Sequence, residues 1–359
     1  MSRRFLLPML LLALAVAAVA FAIRFAGRGR QSEDDLAKLW AYLRWAAQHS
    51  AYGDEAVEAA GSLPGTDAEG ILEFALARFD DAFEDDDRAI RALYVLAKRG
   101  EAGLPARIMK CVEEGGEAFV GEWAGRALAR IPGPEATARL LELARSEDSD
   151  AKRAAVLALA GRDGAEARAT LVACLADPDE EIAAVAAGAL AAAGDPEGTR
   201  AAEAVLGKED DYLDAALAHG LTASGDDAGL PLLDRLLARE SAEARAAATR
   251  ALGHLGDRAP PATLARLLTD PDSQVRIAAA ASLARALRSE AGAEELARAI
   301  GEEPDLDIRV EALRALAALH READRRLFET WFRLPADDEA HRRLKIWAAA
   351  ALLELANGR

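Results

Sequence analysis

The sequence predicts an all-α solenoid, a stack of helical hairpins, and three observations carry that expectation. Alanine and leucine dominate, and aromatic residues make up only 5% of the 359 residues, which suits helices better than strands. Apolar positions recur every 31 residues along most of the chain. Each copy opens on a residue able to cap a helix and closes on a leucine.

The elements follow in order. Residues 1–30 form a separate segment. Arg3 and Arg4 precede an apolar run from Phe5 to Ile23, and Arg24, Arg28 and Arg30 follow it. As a helix the run spans about 28 Å, close to a bilayer's hydrocarbon thickness. It is expected to be a transmembrane signal anchor or, with Ala20-Phe21-Ala22 as a cleavage site, a signal peptide. The arginines balance across the run, so the charge rule for orientation decides nothing. The expected location is a single-pass anchor with an extracytoplasmic, periplasmic body, or a cleaved and exported form. Residues 31–75 read as an aromatic, irregular helical cap.

Residues 76–330 carry the repeats. Val120, Ala151, Ile182, Leu213, Ala244 and Val275 hold a spacing of 31, and eight residues after each stands Leu128, Leu159, Leu190, Leu221, Leu252 or Leu283. The register continues at Ile308 with Leu316 and at Leu344 with Leu352, after small slips. Three residues ahead of the periodic position stand Asp86, Glu117, Asp148, Asp179, Asp210, Ser241, Asp272 and Asp305. Their side chains can accept from the free amides of a first helical turn. Four residues into the helices sits Ala124, Ala155, Ala186, Ala248, Ala279, Ala312 or Ala348, small enough for close helix contact; Leu217 is the exception. Gly194-Asp195, Gly225-Asp226 and Gly256-Asp257 close the first helix of their units. A second helix follows, as in 167–176, 229–240, 262–270 and 293–300. One such unit cannot bury its own apolar face, so units must stack, and the ends need covering. Residues 331–359 read as the last repeat and its cap, with Trp331, Phe332 and Trp347 over the terminal repeat.

The signature Asp-x-x-Val-Arg with a leucine eight residues after the valine, clearest from Asp272 through Val275 and Arg276 to Leu283, resembles the HEAT repeat in its short, chromophore-lyase-like variety common in bacterial proteins. Asp305 with Ile308, Arg309 and Leu316 is similar, and Ser241 with Ala244, Arg245 and Leu252 fits with serine for aspartate. The resemblance covers roughly residues 75–355. It implies a ladder in which Arg245, Arg276, Arg309 and Lys345 hold neighbouring loops by pairing with acidic caps such as Asp148, Asp179, Asp210, Asp272 and Asp305. Ala183 and Asp214 interrupt that ladder.

No catalytic constellation stands in the sequence. His49, His219, His254, His320 and His341 form no i, i+4 zinc pair, and no nucleophile elbow or phosphate loop is present. His219 and His254 read as structural. The acidic runs Asp80-Asp81, Asp85-Asp86-Asp87 and Glu209-Asp210-Asp211 lack the frame of a calcium loop and read as solvated caps. Gly115-Gly116 is not a phosphate loop, and Cys111 and Cys174 read as buried thiols. No catalytic residue, metal ligand or cofactor site is therefore expected. The formal charge is -17, and since residues 1–30 contribute five arginines and no acid, the remainder carries -22. Such a body repels nucleic-acid phosphates. The expected function is a non-catalytic, membrane-tethered or exported scaffold or adaptor that grips a protein or peptide on the solenoid's concave face. That face is expected on the second helices, with Arg235, Arg239 and Arg266 as candidate partner contacts. The alternatives are a lyase-like enzyme or enzyme accessory subunit, and a purely structural spacer.

Overall fold

A computed structural model describes residues 33–49, 51–77, 88–114, 119–223, 227–335 and 338–357. The described residues form ten helical hairpins. In chain order they are α1 (Glu33–His49) with α2 (Gly53–Gly61), α3 (Thr66–Ala77) with α4 (Arg88–Lys98), and α5 (Leu104–Glu114) with α6 (Phe119–Ala129). Next come α7 (Pro134–Leu143) with α8 (Ser149–Ala160), α9 (Ala165–Cys174) with α10 (Glu180–Ala192), and α11 (Pro196–Leu206) with α12 (Asp211–Ala223). The last four are α13 (Leu230–Leu237) with α14 (Ala242–His254), α15 (Pro261–Leu267) with α16 (Ser273–Leu287), α17 (Ala293–Glu302) with α18 (Leu306–Ala317), and α19 (Arg325–Arg333) with α20 (Glu339–Asn357).

The helix starts follow the sequence pattern. The side chains of Asp148, Asp179, Ser241, Asp272 and Asp305 accept from amides of the first turns of α8, α10, α14, α16 and α18, and Asp210 does so from Tyr212 and Leu213. Each such cap is worth about 1 kcal/mol. Gly194 and Gly256 turn the chain in the left-handed region, at φ 74° and 63°, where a side chain is strained. The period-31 residues from Ala151 to Leu344, their leucines and the intervening alanines are all buried. Asp86, Glu117, Gly115-Gly116, Gly225-Asp226, Asp80-Asp81 and Asp85–Asp87 lie outside the described residues.

Packing sorts the helices into two layers. Each even-numbered helix packs on the next, from α2 round to α20, whereas the odd-numbered helices scarcely touch one another. In a curved stack the closely spaced layer is the concave one. The even helices earn that place by small residues. α10 and α12 approach most closely, and a Cβ on Gly220 would lie 2.2 Å from the Val185 carbonyl oxygen. The leucine-rich second helices of the sequence units, α9, α13, α15 and α17, are bulkier and splay on the outside. The expectation that second helices line the concave face is thus corrected: the capped first helices line it.

The stack then closes on itself. α20 packs against both α1 and α2, so the first and last hairpins cover each other rather than capping free ends. At this seam Arg343 donates to Glu55 (2.6 Å), as does the Trp347 indole (2.8 Å), and Arg314 donates to Glu58 (2.7 Å). Tyr42 meets Phe332 edge to face, with the Lys345 ammonium over both rings. Ten even helices therefore form one closed inner ring.

The membrane expectations are corrected here. The segment Phe5–Ile23 lies outside the described residues, and among the described residues no helix is long and apolar enough to cross a membrane. The longest, α20 with 19 residues, carries Glu339, Arg342, Arg343, Lys345 and Glu354 and spends its apolar face on ring packing. The described architecture is a helical ring without a transmembrane or signal helix. Nothing in the described residues supports membrane contact through residues 5–23, a tethered or exported body or an extracytoplasmic location.

Candidate functional site

On the even helices, residues at i, i+4 and i+8 form a stripe that faces the ring's interior. The 31-residue period aligns these stripes from helix to helix. One tier holds Arg126 (α6), His219 (α12), Arg250 (α14) and Arg314 (α18). The next tier, one turn on, holds Arg130, His254, Arg285 and Glu354. Arg153 on α8 stands one turn in the other direction.

These groups converge across the ring. The His219 and His254 rings lie 6.1 Å apart, centroid to centroid. Their spacing of 35 residues is one repeat plus one helical turn. Arg250 (3.2 Å) and Arg285 (2.5 Å) both donate to Glu311, which both arginines hold below the usual carboxylate range against its burial. Arg126 pairs with Glu122, and Arg153 joins Asp150 (2.8 Å) and Glu181 (3.1 Å). The exposed Tyr212 hydroxyl donates to Glu181. Arg130 is exposed and makes no ion pair among the described residues.

Burial pushes His219 down to about 4, and His254, Arg153, Arg250 and Arg126 all push the same way. His254 is lowered by burial first and by Arg285 next, with Arg126 and Arg130 adding and Glu311 opposing. Arg126 on α6 thus acts on α12 and α14, three and four places round a ring of ten. Side chains from separate parts of the ring thus come within electrostatic reach of one another at this level, termed the waist. The His254 ring is reached by water yet walled in by neighbours, which desolvates it without sealing it. Within a body of strong negative charge, Arg126, Arg130, Arg153, Arg250 and Arg285 gather at this waist against Glu122, Asp150, Glu181 and Glu311.

Glu354 lies at the same level. Burial raises its carboxyl to about 7, against the pull of Arg288, Lys98 and Arg314. A carboxyl raised on folding stabilises the fold fully below its unfolded value near 4.5, and that contribution is lost as pH rises through about 7. Glu354→Gln, which fixes the neutral form, is expected to raise the melting temperature at pH 8 and leave it unchanged at pH 4.5. Equal shifts at both pH values in differential scanning calorimetry would show that ionisation is not the cause.

The residues singled out in the sequence fall elsewhere. Arg235 on α13 pairs with Glu203 on α11, in the outer layer, both half exposed. Arg266 on α15 is exposed in that layer. Arg239 is a strut: it donates to both oxygens of buried Asp214 (2.9 and 3.2 Å) and to the Leu206 carbonyl. The three do not meet. The arginine ladder ties loops, but not through the cap carboxylates. Arg245 donates to the carbonyls of Arg239 and Glu240 and to Asp270, two residues before the cap Asp272. Arg276 binds the Asp270 and Pro271 carbonyls and Glu295. Arg309 reaches the Ile300 carbonyl and Lys345 that of Leu334. Asp210 in the run Glu209–Asp211 is a cap, Cys111 and Cys174 are buried and outside any disulfide, and among the described residues no group of three or more His, Cys, Asp or Glu could hold a metal.

Comparison with known proteins places the chain. The profile of HEAT repeats matches residues 137–222, 200–284 and 229–317, together half of the sequence. No curated protein matches. Among solved structures, an engineered protein is similar at 21% identity over 88% of this chain and 98% of its own, with a TM-score of 0.32. Human deoxyhypusine hydroxylase in complex with glycerol is similar at 21% identity over 76% of this chain and 97% of its own, with a TM-score of 0.37. With its capped, 31-residue units now seen as stacked hairpins, the chain belongs to the HEAT-repeat family.

Proposed function

We propose that this HEAT-repeat ring is a non-catalytic scaffold that holds a segment of a partner protein against its inner face. The observation that carries the reading is the waist, where Arg126, Arg130, Arg285 and His254 stay open to water on helices whose flanks are otherwise packed. Polar groups converging in a concavity are what a recognition surface requires. A rod-like spacer is disfavoured, because a spacer needs two free ends and here the ends meet. The lyase-like, short bacterial variety of repeat is supported by the signature from Asp272 to Leu283 and by the Gly256-Asp257 corner. That likeness concerns the repeat, and no reaction is proposed with it.

Photo-crosslinking tests the reading. A benzoylphenylalanine in place of Tyr212 or Arg130 samples the inner face; one in place of Glu203 or Arg266 samples the outer layer. A partner chain captured from the inner positions, and not from the outer ones, is the expected result. Capture from the outer positions alone overturns it.

A further inference from the structure

We infer that the waist between α6, α12, α14 and α16 is a docking site for the carboxylate side chains of an acidic peptide segment. The inference rests on the inner-face reading and names its ligand chemistry.

Charge complementarity argues for it. The charged groups that face His219 and His254 are Arg126 and Arg130 from α6, Arg153 from α8, Arg250 from α14, Arg285 from α16 and Glu311 from α18, with Glu122 on Arg126 and Asp150 and Glu181 on Arg153. Glu311 is shared between two arginines, and Arg130 has no acid of its own among the described residues. After burial, the strongest influences on His219 are His254 and the cations Arg153, Arg250 and Arg126, all of which lower it. Guanidinium groups bind carboxylates strongly when both are partly desolvated, as they are here.

Geometry selects a chain over a single small anion. Arg126 and Arg130 are one helical turn apart, as are Arg250 and His254 on the facing helix. Two tiers spaced by about 6 Å suit acidic side chains repeated along a backbone. The negative outer surface does not forbid this, because charges farther than about 8 Å are screened at physiological salt.

The histidines make docking proton-linked. A carboxylate that pairs with the edges of the two rings offsets both their burial and the surrounding arginines, and so draws protons onto the imidazoles. If His219 returns from about 4 to its ordinary value near 6.5, affinity rises about tenfold between pH 7.5 and 5.5. Peptide glutamates stay largely ionised over that range.

The test is fluorescence anisotropy on the full-length chain in 0.15 M salt, with rhodamine-labelled deca-glutamate, deca-glutamine and deca-lysine as probes. Deca-glutamate alone is expected to bind, about tenfold tighter at pH 5.5 than at 7.5. The Arg126→Gln/Arg130→Gln variant should weaken it about tenfold at both pH values, and His219→Gln/His254→Gln should flatten the pH response. Circular dichroism melting confirms that each variant is folded. Equal binding of deca-glutamine, no binding of deca-glutamate at pH 5.5, or full displacement by millimolar inorganic phosphate overturns the inference. If inner-face crosslinks to a partner persist in that case, the scaffold reading survives without it. If deca-glutamate binds but responds only to changes at Arg235 or Arg266, both readings fall.

Discussion

Replacing Glu58 with alanine is expected to open the ring. Glu58 is the buried keystone of the seam, with its side chain only 4% exposed. It accepts from Arg91 (2.5 Å) on α4 and from Arg314 (2.7 Å) on α18, and so joins the first hairpins to the last. Those two guanidinium groups also lie over Trp123 (3.5 Å) and Trp347 (4.0 Å), which fixes them in place. Removing the carboxylate leaves two positioned cations facing a cavity. Breaking one side of a buried ion network costs about 3–5 kcal/mol. Arg91 keeps Asp54 (2.9 Å), and Arg314 is partly exposed, so the lower end applies.

The loss falls on the junction least able to absorb it. Other inner-ring junctions are packed mainly by alanine and leucine, with partly exposed pairs such as Arg153–Glu181 and Arg285–Glu311 at their edges, whereas this one adds the buried carboxylates Glu55 and Glu58 with Arg343 and Arg314. Opening should therefore precede unfolding of the hairpins. Small-angle scattering is expected to show a larger radius of gyration for Glu58→Ala, with helical circular dichroism retained. An unchanged radius would show that apolar seam contacts suffice. The pH dependence has a definite sign. Burial alone raises the Glu58 carboxyl, but Arg314, Arg91 and Lys98 override it and hold it below its ordinary 4.5. A carboxyl lowered on folding stabilises above its unfolded value, and the effect is lost as pH falls through the folded one. The wild-type ring should thus stay closed at pH 5 and open only in stronger acid.

How much of this was legible in the sequence depends on the range of the interaction. Caps, leucines and small residues act within one unit or between neighbours, so a period of 31 displays them directly. Ring closure is a sum of small rotations over ten hairpins. Its contacts, such as Glu55 with Arg343, join residues 288 apart that share no register. The inward stripe was legible in principle, since His219 and His254 differ by one period plus one turn. Taken singly they looked like core histidines, because nothing local says which layer of a solenoid is concave. That ambiguity also assigned Arg235 and Arg266 to the wrong layer. Small residues decide it: the layer built from Ala184 to Ala192 with Gly188 can crowd, and the layer built on leucines cannot.

The sharpest test of the packing logic is a charge swap at Asp214 and Arg239. Asp214 stands where the ladder has Arg245 one repeat later, and Arg239 stands where it has Asp270. Both pairs are 25 residues apart, and so is Lys152 with Asp177. The apparent gap in the ladder is therefore the same strut with its charges exchanged. Asp214 is 1% exposed, and burial raises its carboxyl more than Arg239 lowers it, with Asp210 and Asp211 adding to the rise. A pair that is costly to bury is dangerous to halve. Asp214→Arg sets two arginines against each other, and Arg239→Asp sets two buried acids together beside Asp210 and Asp211. Each single change is expected to cost about 3–5 kcal/mol. The double variant should recover most of the loss, because it recreates the neighbouring arrangement. An arginine at 214 can reach the carbonyls of Lys208 and Glu209, as Arg245 reaches those of Arg239 and Glu240. An aspartate at 239 can accept from the Ser241 amide, as Asp270 does from Asp272. A double-mutant cycle on urea unfolding measures the coupling directly. A double variant no more stable than the worse single one would show that the strut depends on Arg239 reaching the Leu206 carbonyl rather than on charge pairing.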